Sequence, residues 1–232
     1  MKKVLVIMII LLAVTTTAVF AKEGFTLRGG FSYDFINVKI PSLIGAEPHI
    51  AWKANAFGAE FGVTYNFSDN FLVYGDTTLG FYNKFYIGEE EHKREDGEKI
   101  FFLGTAEHVG AAYDFDFGSA FDLQVGAGLA MEYARTSEST VNENLTTTEQ
   151  LGVLALGFGL YANVGYSLSD RVAITATFHP DFMFVSSTVR HFTETTSNPD
   201  TKVVHEETET WMKIDTAFSF KFNASVGVTF KF

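Results

Sequence analysis

Alternation of apolar and polar side chains at the carboxyl terminus limits what this chain can fold into. Every even position from Phe218 to Phe232 is apolar, and every odd position from Ser219 to Lys231 is polar or glycine. Lys213, Ile214 and Asp215 keep the same parity, which predicts one strand of roughly twenty residues with an apolar and a polar face. Strands in globular proteins usually have about 5–6 residues, so a soluble sandwich or barrel is a poor match.

The same alternation recurs in seven earlier segments, near residues 25–35, 57–67, 71–84, 101–117, 121–133, 154–168 and 172–184. Short polar turns at 68–70, 118–120 and 169–170 alternate with long polar connections at 39–52, 87–100, 137–149 and 190–209. This order predicts an all-β fold, an eight-stranded antiparallel up-and-down transmembrane β-barrel. We expect a mobile surface loop at 137–149. Because Glu107 falls on the apolar face of 101–117, we expect either a β-bulge or a wrong strand assignment there.

The apolar face of these strands is too large for the inside of a small barrel. An eight-stranded barrel is only just wide enough inside for side chains, and the opposite face is rich in Gly, Ser, Thr, Asn and charge. We therefore predict that the apolar face points into lipid, where closure of the barrel pairs every backbone group. Aromatic residues near the strand ends predict two membrane interfaces, namely Trp52, Tyr65, Phe67, Phe71, Phe115, Tyr133, Tyr166 and Trp211.

In this pattern the chain resembles the small outer-membrane barrels of the OmpA, OmpX and OmpW type. The most specific element is the terminal VGVTFKF, because such proteins typically end in an alternating strand with a last Phe. The resemblance implies a monomer in the outer membrane, surrounded by its lipid. It also implies that Val228, Phe230 and Phe232 form a signal for the barrel-assembly machinery, with periplasmic chaperones as further partners during biogenesis.

The first residues predict a secretory leader. Lys2 and Lys3 precede an apolar run from Val4 to Val14, and small residues lead up to Ala21. This pattern predicts a signal peptide at 1–21 and the barrel at 22–232, since the apolar run is too short to span a bilayer. The chain has no Cys and a formal net charge of −11, which argues against a disulfide-stapled domain and against nucleic-acid partners.

Charged residues on the polar faces predict a network inside the barrel. A buried charge without a partner costs several kcal/mol, so these groups should pair with one another. The network is read either as a salt-bridged plug or as a gated, weakly conducting pore, and the narrow lumen favours the plug. Its predicted members are Arg28, Asp34, Glu60, Asp76, Lys84, Glu132, His179, Asp181, Lys213, Asp215 and Lys221.

Other candidate sites are weaker. His179 and Asp181 have the spacing of an acid–base pair on one strand face, but no serine partner is recognisable. Glu107-His108 lacks the His-x-Ser arrangement of lipid A deacylases. Acidic stretches at 87–100 and 205–210 lack EF-hand spacing, so we expect solvated loops. We predict no catalytic residue, metal or cofactor.

The sequence therefore predicts a non-enzymatic outer-membrane barrel with both termini in the periplasm. Its expected role is structural or surface-interacting, through four acidic outer loops that meet a host or environmental ligand. The alternative is a narrow channel for small solutes or for the small hydrophobic compounds that the OmpW resemblance implies. A lipid-modifying enzyme is the third hypothesis.

Overall fold

The computed structural model describes residues 24–41, 49–87, 90–91, 99–117, 120–142, 145–197 and 204–232. The predicted signal peptide at 1–21 lies outside these residues. The strands are β1 (Phe25–Pro41), β2 (His49–Asn66), β3 (Phe71–Ile87), β4 (Glu90–Glu91), β5 (Lys99–Asp116), β6 (Phe121–Asn142), β7 (Leu145–Ser169), β8 (Val172–Ser197), β9 (Val204–Asp215) and β10 (Ser219–Lys231). No helix in these ranges has the length and apolar character needed to cross a membrane.

The long strands close into a ring. Each pairs antiparallel with its neighbour along the chain, and β10 pairs with both β8 and β1. At the seam, Thr26 pairs with Lys231 and Asn37 with Phe220, without a break in register. The short β4 pairs only with the end of β3. The predicted eight-stranded antiparallel barrel is confirmed, with β9 and β10 sharing the eighth position.

That shared position corrects the prediction of one unbroken terminal strand. The chain leaves strand geometry at residues 216–218, and β9 lies beyond them. β10 pairs with the first part of β8, through Ser219–Met183, and β9 pairs with the remainder, from Ser186–Asp215 onward. The alternation marks the interruption, because the polar Thr216 stands at an apolar position and Ala217 at a polar one, although the residues on both sides keep the same parity.

Two of the predicted loops are strands instead. Residues 137–142 and 145–149 continue β6 and β7, with Ser137 paired to Gln150 and Asn142 to Leu145. In the predicted loop at 190–209, residues 190–197 continue β8 and residues 204–209 begin β9. The prediction of a mobile loop at 137–149 is wrong, because the polar Ser, Thr and Glu side chains are tolerated on a sheet that has water on both faces.

The expected bulge near Glu107 is also absent. β5 pairs with β3 and β6 without a register shift. Glu107 stands opposite Met131 of β6 and Thr77 of β3, so it belongs to the outward row. Its Oε2 accepts a hydrogen bond of 2.6 Å from Thr77 Oγ1, which gives this outward carboxyl group a local partner.

The two ends of the ring differ. Gly24, Phe232 and the β2–β3 and β7–β8 turns share one end, where Asn66 N–H donates to Gly24 O and Phe232 N–H donates to Phe25 O. We call this the turn end. The other end, which carries the long β6–β7 and β8–β9 hairpins, is the hairpin end. Both described chain termini therefore lie at the turn end.

The outer surface of the ring is apolar. Phe31, Leu129 and Val109 are 84%, 74% and 64% exposed, values that are unusual for side chains of this kind in water-soluble domains. Their neighbours on the same faces are also exposed, so the ring carries a continuous apolar belt. Such a belt around a closed barrel is the surface that lipid covers.

The interior is filled in two layers. Towards the hairpin end lies an apolar plug, formed by Ile36, Val38, Trp52, Ala54, Ala130, Ala134, Val153, Ala155 and Met183. Below it lie buried polar and charged side chains. Small residues make room for them: a Cβ at Gly62 would lie 2.2 Å from Asp76 Oδ1 and 2.8 Å from Arg28 Nη2.

We expect Gly62→Ala to lower the free energy of unfolding by about 1–3 kcal/mol, the usual cost of overpacking. The added methyl group would push Asp76 away from Arg28. The measurement is urea-induced unfolding of the refolded barrel in lipid vesicles. The matched control is Gly29→Ala, where the new methyl group meets no atom within 4 Å. Equal effects of the two substitutions would contradict this packing.

Candidate functional site

The buried ionisable residues form one charged core, which consists of Arg28, Asp34, Glu60, Asp76, His108, Glu132, His179, Asp181 and Lys221. Alternation explains its position, since each residue occupies an inward position of a strand whose outward positions are apolar. Each of these residues is at most 6% exposed. The core therefore has to satisfy its charges internally.

Arg28 organises the part of the core nearer the turn end. Its Nε donates to Glu60 Oε1 at 2.8 Å, and its Nη2 donates to Asp76 Oδ1 at 2.5 Å. Nη1 donates to the hydroxyl group of Tyr161 at 3.2 Å. The guanidinium group thus links strands β1, β2, β3 and β7 through charge-assisted hydrogen bonds, the strong class of such bonds.

Two histidines lie beside this group. The rings of His108 and His179 stack with centroids 4.0 Å apart and an interplanar angle of 14°. His108 Nε2 lies 2.8 Å from Asp181 Oδ2, and His179 Nε2 lies 3.2 Å from Asp76 Oδ2. Tyr74 and Tyr161 stack on each other at 4.1 Å and flank His179.

Lys221 organises the part of the core under the apolar plug. Its Nζ donates to Glu132 Oε2 at 2.5 Å and lies 3.5 Å from Asp34 Oδ1. Asn223 Nδ2 also donates to Asp34 Oδ1, at 2.8 Å. These contacts join β10, β1 and β6 across the ring, so they cross the lumen and do not only follow the sheet.

A polar vestibule opens at the turn end. Its volume is about 160 Å³, and Arg28, Thr64, Gln124, Asn163 and Lys231 are among the residues that line it. Gln124 Oε1 accepts from Tyr161 and from Asn163 at 3.0 and 3.1 Å. Lys231 Nζ lies 3.4 Å from Asp122 Oδ2. The charged core is thus reached from the turn end through a small hydrophilic space.

Eight of the eleven predicted network residues lie in the charged core, and Lys213 does not. Lys213 is exposed, because β9 lies beyond the level at which β10 closes the ring. Its side chain is therefore outside the buried core, contrary to the prediction. The side chains of Lys84 and Asp215 fall outside the described part of the structure, as do those of the acidic stretches at 87–100 and 205–210.

Trp52 corrects the interface prediction. It is 0% exposed and belongs to the apolar plug. Its even number places it on the same face of β2 as Ala54, Ala56 and Glu60, so parity contradicts the outward assignment. Tyr65 is half-buried on the outer surface, and the side chain of Trp211 is outside the described residues. The other aromatic residues of that prediction are exposed: Phe67, Phe71, Phe115, Tyr133 and Tyr166.

Three buried side chains of this region were missed by sequence reasoning. His108 has the inward parity of β5, but the irregularity expected at Glu107 made the face of the next residue uncertain. Tyr74 and Tyr161 also have inward parity, and they were overlooked because aromatic residues were assigned to lipid. Strict parity along β3, β5 and β7 would have found all three.

The predicted assembly residues lie on the seam strand. Val228, Phe230 and Phe232 are 38%, 50% and 53% exposed on the outer surface. Phe232 is held by its backbone N–H, which donates to Phe25 O of β1 at 2.9 Å. Their recognition by assembly machinery stays a prediction.

A larger groove lies among β6, β7 and β8, near the level at which β9 replaces β10. Its volume is about 510 Å³, and its lining includes Tyr133, Arg135, Gln150, Val189 and His191. Arg135 donates to Gln150 across the β6–β7 pair. Arg190 of β8 and Glu149 of β7 form a salt bridge at 2.7 Å. The groove therefore combines an aromatic side chain with hydrogen-bonding groups held in place.

Comparison with solved structures identifies the fold. The barrel is similar to a major outer membrane protein from Thermus thermophilus, with 10% identity and a TM-score of 0.57 over 88% of this chain and 99% of that one. It is also similar to the outer membrane protein OprG from Pseudomonas aeruginosa, with 16% identity and a TM-score of 0.55 over 91% of this chain and 97% of that one. At these identities the likeness concerns the fold, which is that of the small outer-membrane β-barrels.

Sequence comparison adds a family but no characterised relative. No curated protein matches the chain. A family model described as "Domain of unknown function (DUF2715)" matches residues 24–232, a range that contains the whole described barrel. The chain therefore belongs to the DUF2715 family, as a member with the fold of an eight-stranded outer-membrane β-barrel.

Proposed function

We propose that this barrel resides in the outer membrane as a structural anchor for a surface-interaction platform at its hairpin end. The observation that carries the proposal is the continuation of β6, β7, β8 and β9 as a paired sheet beyond the level at which β10 closes the ring. A barrel that served membrane integrity alone would have no use for so much ordered sheet outside lipid.

The size of this sheet suits recognition. β8 and β9 are paired over twelve positions, from Ser186–Asp215 to Ser197–Val204. At about 3.4 Å per residue this corresponds to roughly 40 Å of strand. Cross-strand contacts stiffen it, among them the Arg190–Glu149 salt bridge and the Ser139–Thr148 hydrogen bond. Binding groups placed on strands are positioned more accurately than groups placed on loops.

The groove among β6, β7 and β8 is the proposed contact point. Its volume lies within the range of roughly 300–1,000 Å³ found for ligand pockets. Arg135 and His191 offer donors, and Tyr133 offers an aromatic surface. The sequence of 88–98 and 205–210 is rich in acidic residues, and such a composition would favour partners with a basic surface.

The orientation follows from the lengths of the connections. In outer-membrane barrels, short turns face the periplasm and long connections face outside. The turn end, with both described termini, would accordingly face the periplasm, and the hairpin end would face the environment. We further propose that the barrel acts as a monomer and that Val228, Phe230 and Phe232 guide its assembly.

The filled interior argues against the two other hypotheses. A channel would need a continuous path through the apolar plug and the charged core, and both are closely packed. An enzyme acting on membrane lipid would need its acid–base groups at the outer surface, whereas His179 and Asp181 face inward and are at most 1% exposed. A non-enzymatic, surface-interacting role is therefore the better supported function.

Shortening the β6–β7 and β8–β9 hairpins should abolish the surface interaction without unfolding the barrel. An Asn-Gly turn in place of residues 139–148 keeps Glu138 paired with Glu149, and one in place of 193–208 keeps Phe192 paired with Glu209. Asn-Gly suits two-residue hairpins. The measurement is attachment of a laboratory Gram-negative strain that displays the chain to a cultured epithelial monolayer and to immobilised matrix proteins.

The control for this experiment replaces residues 88–98 with a short Gly-Ser linker, which leaves the β6–β9 sheet intact. We expect attachment to be retained by this control and lost by the shortened hairpins. Attachment that persists after the hairpins are shortened, or a full-length chain that attaches no better than empty vector, would contradict the proposal.

The filled interior, which consists of the apolar plug and the charged core, leads to a prediction for conductance. The wild-type barrel in planar lipid bilayers should show no stable unitary openings. With the apolar plug reduced by Trp52→Ala in both variants, Lys221→Ala should produce flickering openings, because Glu132 and Asp34 would then face the lumen without their cation and draw in water. Lys231→Ala is the matched control, since that side chain is partly exposed at the turn end, and it should remain closed. Regular openings of the wild-type chain would support the channel hypothesis instead.

A further inference from the structure

The charged core has more negative than positive charge. Among the described residues that are nearly fully buried, five are carboxylic acids: Asp34, Glu60, Asp76, Glu132 and Asp181. Two side chains there, Arg28 and Lys221, are permanently cationic. With neutral histidines the excess is three negative charges. An uncompensated charge in a closed interior is costly, so the core favours a further positive charge.

Ligating atoms converge at one point of this core. One carboxylate oxygen of Glu60, one of Asp76 and one ring nitrogen of His179 all lie within 4.8 Å of one another. Glu60 Oε2, Asp76 Oδ2 and both ring nitrogens of His179 are buried without a hydrogen-bond partner. Asp76 Oδ2 and His179 Nε2 form an ion pair, but buried polar atoms normally have a hydrogen-bond partner. One oxygen of each acid and one ring nitrogen of His179 therefore point to a group that they would hold.

The spacing of two of these atoms suits metal ligands. His179 Nε2 and Asp76 Oδ2 are 3.2 Å apart but are not aligned for a hydrogen bond. In a tetrahedral zinc site with bonds of about 2.0–2.1 Å, neighbouring ligand atoms are about 3.3 Å apart. Glu60 Oε2 would complete the set by a small closing movement of its side chain.

The surrounding residues form the outer shell that such a site needs. Ligating carboxylates in metal sites are usually hydrogen-bonded by a second group that fixes their orientation. Arg28 does this for both acids, because it binds Glu60 Oε1 and Asp76 Oδ1 and leaves the other oxygen of each free. The ring of His179 is fixed by stacking on His108 and by Tyr161 and Tyr74 at its sides.

We propose that Glu60, Asp76 and His179 form an internal binding site for a divalent transition-metal ion of the zinc class. One imidazole with two carboxylates favours Zn²⁺ over Ca²⁺ or Mg²⁺, which prefer oxygen ligands alone. The vestibule at the turn end reaches Arg28, the residue that binds both carboxylate ligands. The bound ion would lower the excess charge of the core and tie β2, β3 and β8 together.

The test is zinc binding by the untagged barrel, refolded in detergent, in competition with a chromophoric chelator. Wild type should bind one Zn²⁺ per chain. Glu60→Gln and His179→Gln should weaken binding at least as much as loss of an outer-shell partner does, about 10- to 100-fold. The matched control is His191→Gln, an exposed histidine on the same strand, which should bind zinc as wild type does.

A second readout keeps the test decisive if a variant fails to fold. Cu²⁺ bound to the wild-type chain should give an electron paramagnetic resonance spectrum with coupling to one imidazole nitrogen, and Ca²⁺ should not displace it. The proposal is overturned if wild type binds no zinc, or if Ca²⁺ competes equally. It is also overturned if His191→Gln loses binding while His179→Gln, folded, keeps it.

Discussion

Hydrogen bonding of the backbone in hydrocarbon is the constraint on which this structure depends. Lipid offers no partner for an exposed N–H or C=O group, so a sheet with open edges cannot cross a bilayer. The pairing of β1 with β10 removes both edges. The seam continues to the last residue, since the N–H group of Phe232 donates to Phe25 O. Closure with only eight strands makes the interior narrow, because the diameter of a barrel grows with the number of its strands.

That narrow interior decides which side chains can lie on each face. Phenylalanine and leucine have room only outside, where they form the apolar belt. Inside, Gly62 and Gly159 leave space for Asp76 and Asp181, whose oxygens would each lie 2.2 Å from an added Cβ. The inward charges then have no water to solvate them and must find partners across the lumen, as Lys221 does with Glu132. The narrow interior does not restrict side chains at the hairpin end, because β6 to β9 continue past the closed ring.

Much of the fold could be predicted from the sequence, because a period of two is strongly imposed where one face meets lipid. The inward positions of Arg28, Glu60 and Asp181 follow directly from that parity. The extent of the hairpins could not be read in this way, because a sheet with water on both faces needs no alternation. The break at 216–218 leaves a short signal, because Thr216 and Ala217 reverse the alternation, but the same parity on both sides of it favoured a single strand. The contacts of the core, such as the stacking of His108 on His179, join strands that are distant in sequence, and a single sequence carries no record of them.

The direction in which the apolar faces point is tested most directly by nitroxide labelling. The chain contains no cysteine, so single cysteines at Leu129, which is 74% exposed, and at the exposed Lys213 of β9 each give one label. In lipid vesicles, the label at Leu129 should collide often with oxygen and rarely with a water-soluble nickel complex, whereas the label at Lys213 should collide readily with nickel. Equal access of nickel to both positions would contradict a barrel whose apolar belt lies in lipid.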